Sequence, residues 1–171
     1  TYVDALYNIL EEKYPNEVTR YHSRIKPERR KKQLLFDFLQ GKRKIMIATS
    51  AFSMGIDVSD IELVVHFNAP ISMTDYIQQI GRAGRDGRKA HCVLFYNQNG
   101  DDDAISASFI KKAKKQSPKV AKVIKAKLSQ VHDFIHSDSC MVCDILEYQG
   151  QHETKTCKRC TVCAQKRRNS K

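Results

Sequence analysis

The stretch "ELVVHFNAPISMTDYIQQIGRAGRDGRKAHCVLFY", residues 62–96, decides the fold. "ELVVHF" is an apolar run of strand length, apolar on both faces at its centre, as buried parallel strands tend to be. Pro70 closes it. "SMTDYIQQI" then reads as a helix beginning at Ser72, a residue whose hydroxyl suits a helix start. "AHCVLFY" is a second apolar strand. A strand, a helix and a strand in that order predict a parallel α/β sheet. Between the helix and the second strand stand Arg82, Arg85 and Arg88, each directly after a glycine. Spaced three apart on a helical turn, they would share a face and converge on one target. Guanidinium forks bind phosphate oxygens bidentately and keep their charge. The pattern predicts a phosphate clamp held by flanking structure, against a disordered Arg-Gly tail that touches RNA loosely.

The same grammar extends upstream. Residues 2–13 place Val3, Leu6, Ile9 and Leu10 at helical spacing. "VTRYH" is a short strand, Pro27 stands at a tolerated helix start, and "PERRKKQLLFDFLQG" runs to a stop at Gly41. "KIMIAT" is a further strand, and "ATSAFSMGID" leaves its carboxyl end, where α/β sheets bind ligands. Downstream of Tyr96 the pattern changes. "NQNGDDD" marks a boundary, and helices alone follow, at about 102–115, 118–136 and 140–149. The expected division is an α/β lobe over 1–100, a helical subdomain over 101–165 and a frayed basic tail over 166–171.

Bulk properties narrow the partners. The 171 residues are 41% hydrophobic, enough for a core, and carry a formal net charge of +11. Such a balance suits a polyanion, either nucleic acid or an anionic surface. No apolar run reaches the roughly 20 residues of a membrane span, and "TYVDALYNIL" is no signal peptide. The expected setting is intracellular: cytoplasmic, at the nucleoid, in a bacterium, or nuclear in a eukaryote. The chain opens on a helix where such a domain opens on a strand, and it has no G-x-x-x-x-G-K-[ST] phosphate loop. Both features predict a piece of a longer polypeptide.

Five of six cysteines crowd the last quarter: Cys140, Cys143, Cys157, Cys160 and Cys163. Clustered thiols in an intracellular chain indicate a metal, and Zn2+ takes four in a tetrahedron. Spacing alone leaves Cys140 and Cys143 as rivals for one ligand position, with His152 a weaker competitor. Cys92, alone in a strand, is expected to be a buried core thiol. His66 is expected to be satisfied in the core. His132 and His136, four apart on a helix, have ligand spacing but no third ligand in sequence, so packing or surface roles are expected. Eight lysines in residues 111–127 are first a solvated face. Lys115, Lys119, Lys122 and Lys125 also share one side, which suits a DNA backbone.

"YHSRI", "ATSAFSMGIDVSDIELVVHFNAP" and "YIQQIGRAGRDG", in that order, resemble the second RecA-like lobe of superfamily 2 helicases. The latter two are similar to motifs V and VI of the RecQ family, whose members carry Gln where Gln78 stands and a cysteine cluster afterwards. The resemblance spans about residues 18–163. It implies a RecA-like parallel sheet flanked by helices, then an all-helical zinc-binding subdomain. It implies an ATP-dependent DNA helicase working 3′ to 5′ in repair or recombination, with ATP and Mg2+ in the complete enzyme and structural Zn2+ here. Partners on this resemblance are DNA, as single strands and junctions, and a first RecA-like lobe of the same polypeptide, with no membrane.

Residue by residue, Arg85 resembles the arginine finger that reaches the ATP γ-phosphate. Arg82 would bind phosphate beside it or steady the motif, and Gln78 would couple the nucleotide to the first lobe. Gly55 and Asp57 resemble the turn at the ribose side. His22, Ser23 and Thr49 resemble positions along the single-strand path, although Ser23, Arg24 and Ser53 depart from the small residues and glycines usual there. Cys140, Cys157, Cys160 and Cys163 match the family's zinc ligands, with an apolar residue usual at the Cys143 position. The competing expectations are a DEAD-box-like RNA helicase lobe and a stand-alone zinc-stapled nucleic-acid-binding module.

Overall fold

The computed structural model describes residues 2–53, 58 and 61–170, with the side chains of Ala51 and Ser53 left out. Two compact units divide the chain, residues 1–59 and 60–171. In the first, α1 (Tyr2–Lys13), β1 (Val18–Tyr21), α2 (Glu28–Leu39) and β2 (Ile45–Ala48) follow one another, and a short 3-10 helix (Ser50–Ser53) leaves β2. β1 and β2 pair in parallel, Val18 opposite Ile45 and Tyr21 opposite Ala48. The apolar stripe of α1 packs as its spacing demands: Val3 is buried with Val18 and Ile47, and Leu6, Tyr7, Leu10 and Ile45 close around them.

The second unit begins with β3 (Leu63–His66), α3 (Met73–Ile80) and β4 (His91–Leu94). β3 and β4 are parallel, with Leu63 opposite His91 and His66 opposite Leu94. Ser72 caps α3, its Oγ accepting from the Asp75 N–H at 3.1 Å. Three helices follow: α4 (Asp101–Gln116), α5 (Pro118–Ile135) and α6 (Met141–Tyr148). Ser117 caps α5 through the Val120 N–H at 3.1 Å, and Pro118 takes the first turn, where it costs no hydrogen bond. Met73 and Tyr76 of α3 share one core with Val131 and Phe134 of α5, and Met141 and Ile145 of α6 pack against it. The chain is therefore α/β with parallel strands and then helical, as expected from the sequence.

Three details differ from the sequence reading. The basic tail is not frayed: α7 (Thr161–Asn169) runs through most of it. Ala164, Gln165 and the basic residues are strong helix formers, and Lys166, Arg167 and Arg168 in its last turn complement the helix dipole. β3 is covered on one face only: His66 is buried, whereas Leu63 (55% exposed) and Val65 face outward with Phe67, Val93 and Phe95. Cys92 is exposed rather than a buried core thiol, since β4 presents most of its length to solvent.

Asp102 is a residue whose importance is invisible in "NGDDD". It is 3% exposed, and its carboxylate accepts from the Ala69 N–H and the Asn97 N–H, each at 2.7 Å. It thus ties the loop after β3 and the exit from β4 to the start of α4. Charge-assisted bonds of this kind are each worth more than neutral ones. Asp102→Ala is expected to lower stability by about 3 kcal/mol, because two N–H groups lose the buried carboxylate that ties their segments together. Urea unfolding of the zinc-loaded chain checks this, and an unchanged midpoint would refute it.

Candidate functional site

The arginine segment is built by turns, not by a helix. α3 stops at Ile80, and residues 81–88 fold as successive turns. Gly84 (φ 69°) and Gly87 (φ 81°) adopt left-handed backbone that suits glycine. A Cβ at Gly84 would also press the Arg88 carbonyl at 3.0 Å. The expectation that three guanidiniums share a helical face is therefore corrected. An isolated parallel bridge joins Ile61 to Ala83, and the Gly84 N–H donates to the Ile61 carbonyl at 3.0 Å. These bonds pin the segment at the amino-terminal rim of the β3–β4 sheet.

The three arginines then differ in environment. Arg82 is half-buried. Arg85 is exposed, with its Nε–H donating to the Gly81 carbonyl at 3.0 Å, which braces the side chain against the end of α3. Arg88 is bound to two carboxylates, Asp86 at 2.7 Å and Glu62 at 3.1 Å. Hydrogen bonds from the Arg88 backbone and guanidinium hold the Asp86 carboxyl below its usual range. The adjacent glutamines also divide. Gln78 is exposed on the last turn of α3, whereas Gln79 turns inward, its Oε1 accepting from His66 Nε2–H at 2.7 Å. His66 is thus satisfied at Nε2 and tilted against Tyr76, with ring centroids 5.1 Å apart. Burial first, partly offset by the Gln79 bond, keeps its pKa below the ordinary value.

In the first unit, His22, Ser23 and Thr49 sit at the carboxyl ends of neighbouring strands, and the Thr49 N–H donates to the Tyr21 carbonyl at 3.2 Å. Ser23 and Thr49 are exposed. His22 is not: it is 5% exposed, with Nε2 at 3.2 Å from Asp4 Oδ1 and Nδ1 accepting from the Arg24 N–H at 3.3 Å. Its ring ties the loop after β1 to α1. Gly55 and Asp57 lie outside the described residues. Lys119, Lys122 and Lys125 are exposed along α5, while Lys115 belongs to α4 beyond the Ser117 break.

The cysteines assemble at two helix starts. Cys140 caps α6 and Cys160 caps α7, with Cys163 one turn further on. The Sγ atoms of Cys140, Cys157, Cys160 and Cys163 all lie within 4.8 Å of one another. Backbone N–H groups point at the sulfurs: Cys157 donates to Cys140 Sγ at 3.2 Å, and Cys160 and Arg159 donate to Cys157 Sγ at 3.2 and 3.4 Å. The turn that aims them needs left-handed backbone at Lys158 (φ 58°), a residue the sequence reading did not single out. Cys143 falls outside this group of four, with its thiol at 3.6 Å from the Lys155 carbonyl, although it remains a neighbour of Cys140.

This donor set fits Zn2+. A tetrahedron with Zn–S of about 2.3 Å has sulfur–sulfur edges of about 3.8 Å, so closure requires shifts of about 1 Å or less. All-thiolate sites leave no open position for water, which makes the ion structural. The thiols already differ in acidity. Burial raises Cys140, but N–H donation from Cys157 and Cys143 outweighs it and takes the pKa down to about 6. Cys163 is pushed up to about 12 by burial and by its neighbours Cys160 and Cys140. A dication is what allows all four to be thiolates together.

Comparison with known proteins follows the same division. The helicase conserved C-terminal domain family matches residues 1–87, and the RecQ zinc-binding family matches residues 101–164. The chain belongs to the helicase conserved C-terminal domain family, as a RecQ-type region. This RecQ-type region is 37% identical to the ATP-dependent DNA helicase RecQ of Bacillus subtilis over 86% of its own length and 24% of that protein. It is 36% identical to a putative ATP-dependent RNA helicase of Acanthamoeba polyphaga mimivirus, over 84% of the chain and 25% of that protein. Among solved structures, the yeast DEAD-box splicing factor Prp28 aligns with a TM-score of 0.50 and 28% identity, over 74% of this chain and 28% of that one. The RecQ-type region thus spans about a quarter of the length of these curated relatives.

Proposed function

We propose that this chain is the second motor lobe and zinc module of an ATP-dependent DNA helicase that unwinds 3′ to 5′. The observation that carries this reading is the union, in one chain, of a helicase C-terminal match and a RecQ zinc-binding match. Residues 1–100 form the motor lobe, 101–165 the zinc module and 166–171 a basic end. Zn2+ is ligated by Cys140, Cys157, Cys160 and Cys163, which is supported by the grouping of these four sulfurs, from which Cys143 is left out.

Arg85 acts as the arginine finger on ATP bound to a first lobe, supported by its exposure and its bracing on Gly81. Arg82 steadies the turn, and Gln78 couples the nucleotide to that lobe. Gly55 and Asp57 complete the ribose side. Ser23 and Thr49 line the path of a single strand, with His22 holding their loop. Charge that develops on a transferring phosphoryl group is stabilised by a guanidinium brought in at lobe closure, which links hydrolysis to movement on DNA. Partners are DNA, single-stranded and at junctions, and the first lobe. Among the described residues no helix is long and apolar enough to cross a membrane. The working compartment is wherever the DNA lies, nucleoid or nucleus.

The chain has no phosphate loop of its own. The 171-residue protein alone is therefore expected to show no DNA-stimulated ATP turnover; steady hydrolysis by the purified chain would overturn the finger-only assignment. The mimivirus relative's name favours testing a second reading, an RNA substrate. Matched DNA and RNA duplexes offered to the complete enzyme separate the two, and preferential RNA unwinding would reject the DNA reading.

A further inference from the structure

The last turn of α5 carries nitrogen donors that neither the motor reading nor the cysteine cluster uses. His132 and His136 are stacked, their ring centroids 4.1 Å apart at 28°. Both are exposed. His136 Nδ1 lies 2.8 Å from the His132 backbone carbonyl oxygen. A carbonyl only accepts, so this Nδ1 carries the hydrogen and Nε2 keeps its lone pair. His132 Nδ1 lies 3.7 Å from Asp133 Oδ1, and a carboxylate there favours the hydrogen on the same nitrogen. His136 is thus held in the tautomer in which Nε2 can bind a metal and Nδ1–H is bonded to an oxygen, the usual arrangement around ligating histidines, whereas Asp133 lies too far from His132 Nδ1 for a hydrogen bond and acts on it only through its charge.

The surroundings favour a cation. The pair occupies the carboxyl end of an 18-residue helix, the negative end of its dipole. Tyr96 meets both rings edge-on, at 6.3 Å from His132 and 5.5 Å from His136, and limits their motion on one side. Asp103 and Lys125 line the cavity that His132 also lines, so one carboxylate and one ammonium there offset each other. Packing on Tyr96 accounts for the ring contacts, but it does not require the His136 Nδ1–H bond that leaves Nε2 available.

We propose that His132 and His136 form a chelating site for a borderline divalent transition ion, such as Zn2+ or Ni2+, separate from the four cysteines. Metal–nitrogen bonds of about 2.0–2.1 Å place two cis nitrogens about 3 Å apart with their lone pairs converging near a right angle, so the stacked rings must swing apart about their side-chain torsions to share an ion, which exposed side chains four apart on a helix can do. Water completes the coordination sphere, and the site is weaker and more exchangeable than the thiolate site. Imidazole suits Ni2+, whereas thiolates retain Zn2+.

The test titrates Ni2+ into the full chain carrying its Zn2+, followed by calorimetry and by absorbance. One Ni2+ equivalent is expected, with affinity weakened at least tenfold in His132→Ala and in His136→Ala and unchanged in His152→Ala. Circular dichroism verifies the helix in each, and His132→Gln and His136→Gln serve in place of any alanine variant that loses it. No binding at millimolar Ni2+, equal binding in the His132 and His136 variants, or thiolate-to-nickel absorption in place of imidazole binding would each overturn the proposal.

Discussion

Arg85→Ala in the complete helicase is expected to lower kcat for DNA-stimulated ATP hydrolysis by roughly 10³- to 10⁵-fold, the range an arginine finger supplies in related nucleotide hydrolases. The effect should fall on kcat, because the finger acts on charge that develops in the transition state and not on ground-state binding. DNA affinity without nucleotide should stay near wild type, since Arg85 stands at the rim of β3–β4 with its Nε donating to Gly81. Arg85→Lys should recover only part of the rate, because an ammonium cannot reproduce the planar fork. Arg88→Ala supplies the contrast. Arg88 is bound to Asp86 and Glu62 at the surface, so its loss is expected to alter kcat less than tenfold. Equal losses in the Arg85 and Arg88 variants would mean that the segment acts as a structural turn and not through a specific guanidinium.

The second large effect is loss of the metal. Cys160→Ser, or removal of Zn2+ by a chelator, is expected to release α7 and the knuckle before it it. α7 buries none of its residues, so Cys160 and Cys163 are its visible anchors. α6 should persist in part, because Met141 and Ile145 pack against the core of Met73, Tyr76, Val131 and Phe134. Thiolate sites in small domains contribute on the order of 10 kcal/mol of apparent folding free energy, far more than such short helices hold by themselves. Hydrogen exchange should therefore report loss of protection over residues 157–169 and partial loss over 141–148. Cys143→Ser should retain one Zn2+ per chain with normal protection. The reverse result, zinc retained in Cys160→Ser and lost in Cys143→Ser, would replace the ligand set. Because Cys163 must give up a proton held at about 12, zinc affinity should weaken as pH falls, protons competing for the thiolates.

Much of this was legible in the amino-acid order alone. The helices and strands follow from apolar spacing, and the ends follow from Ser72, Ser117 and Pro118, whose local chemistry sets where a helix can begin. The knuckle of Cys157, Cys160 and Cys163 was readable because its spacing is local, whereas spacing left Cys140 and Cys143 as rivals for the fourth position and only the family resemblance pointed to Cys140. Other features depended on neighbours far along the chain. Asp102 is identical in kind to Asp101 and Asp103, and becomes a buried pin only because Ala69 and Asn97 bring their N–H groups to it. Gln78 and Gln79 are chemically the same, and α3 alone, by its rotation, sends one outward and the other to His66. The reading of Arg82, Arg85 and Arg88 as one face failed because glycine turns, held by Ile61, replaced the helix that spacing suggested.

Local pattern thus determined which elements exist and which residue types could carry phosphate and zinc chemistry. Only the tertiary structure decided which member of each chemically equivalent set is buried, paired or exposed. Burial and pairing arise from the packing of segments distant in sequence, and no local spacing encodes them.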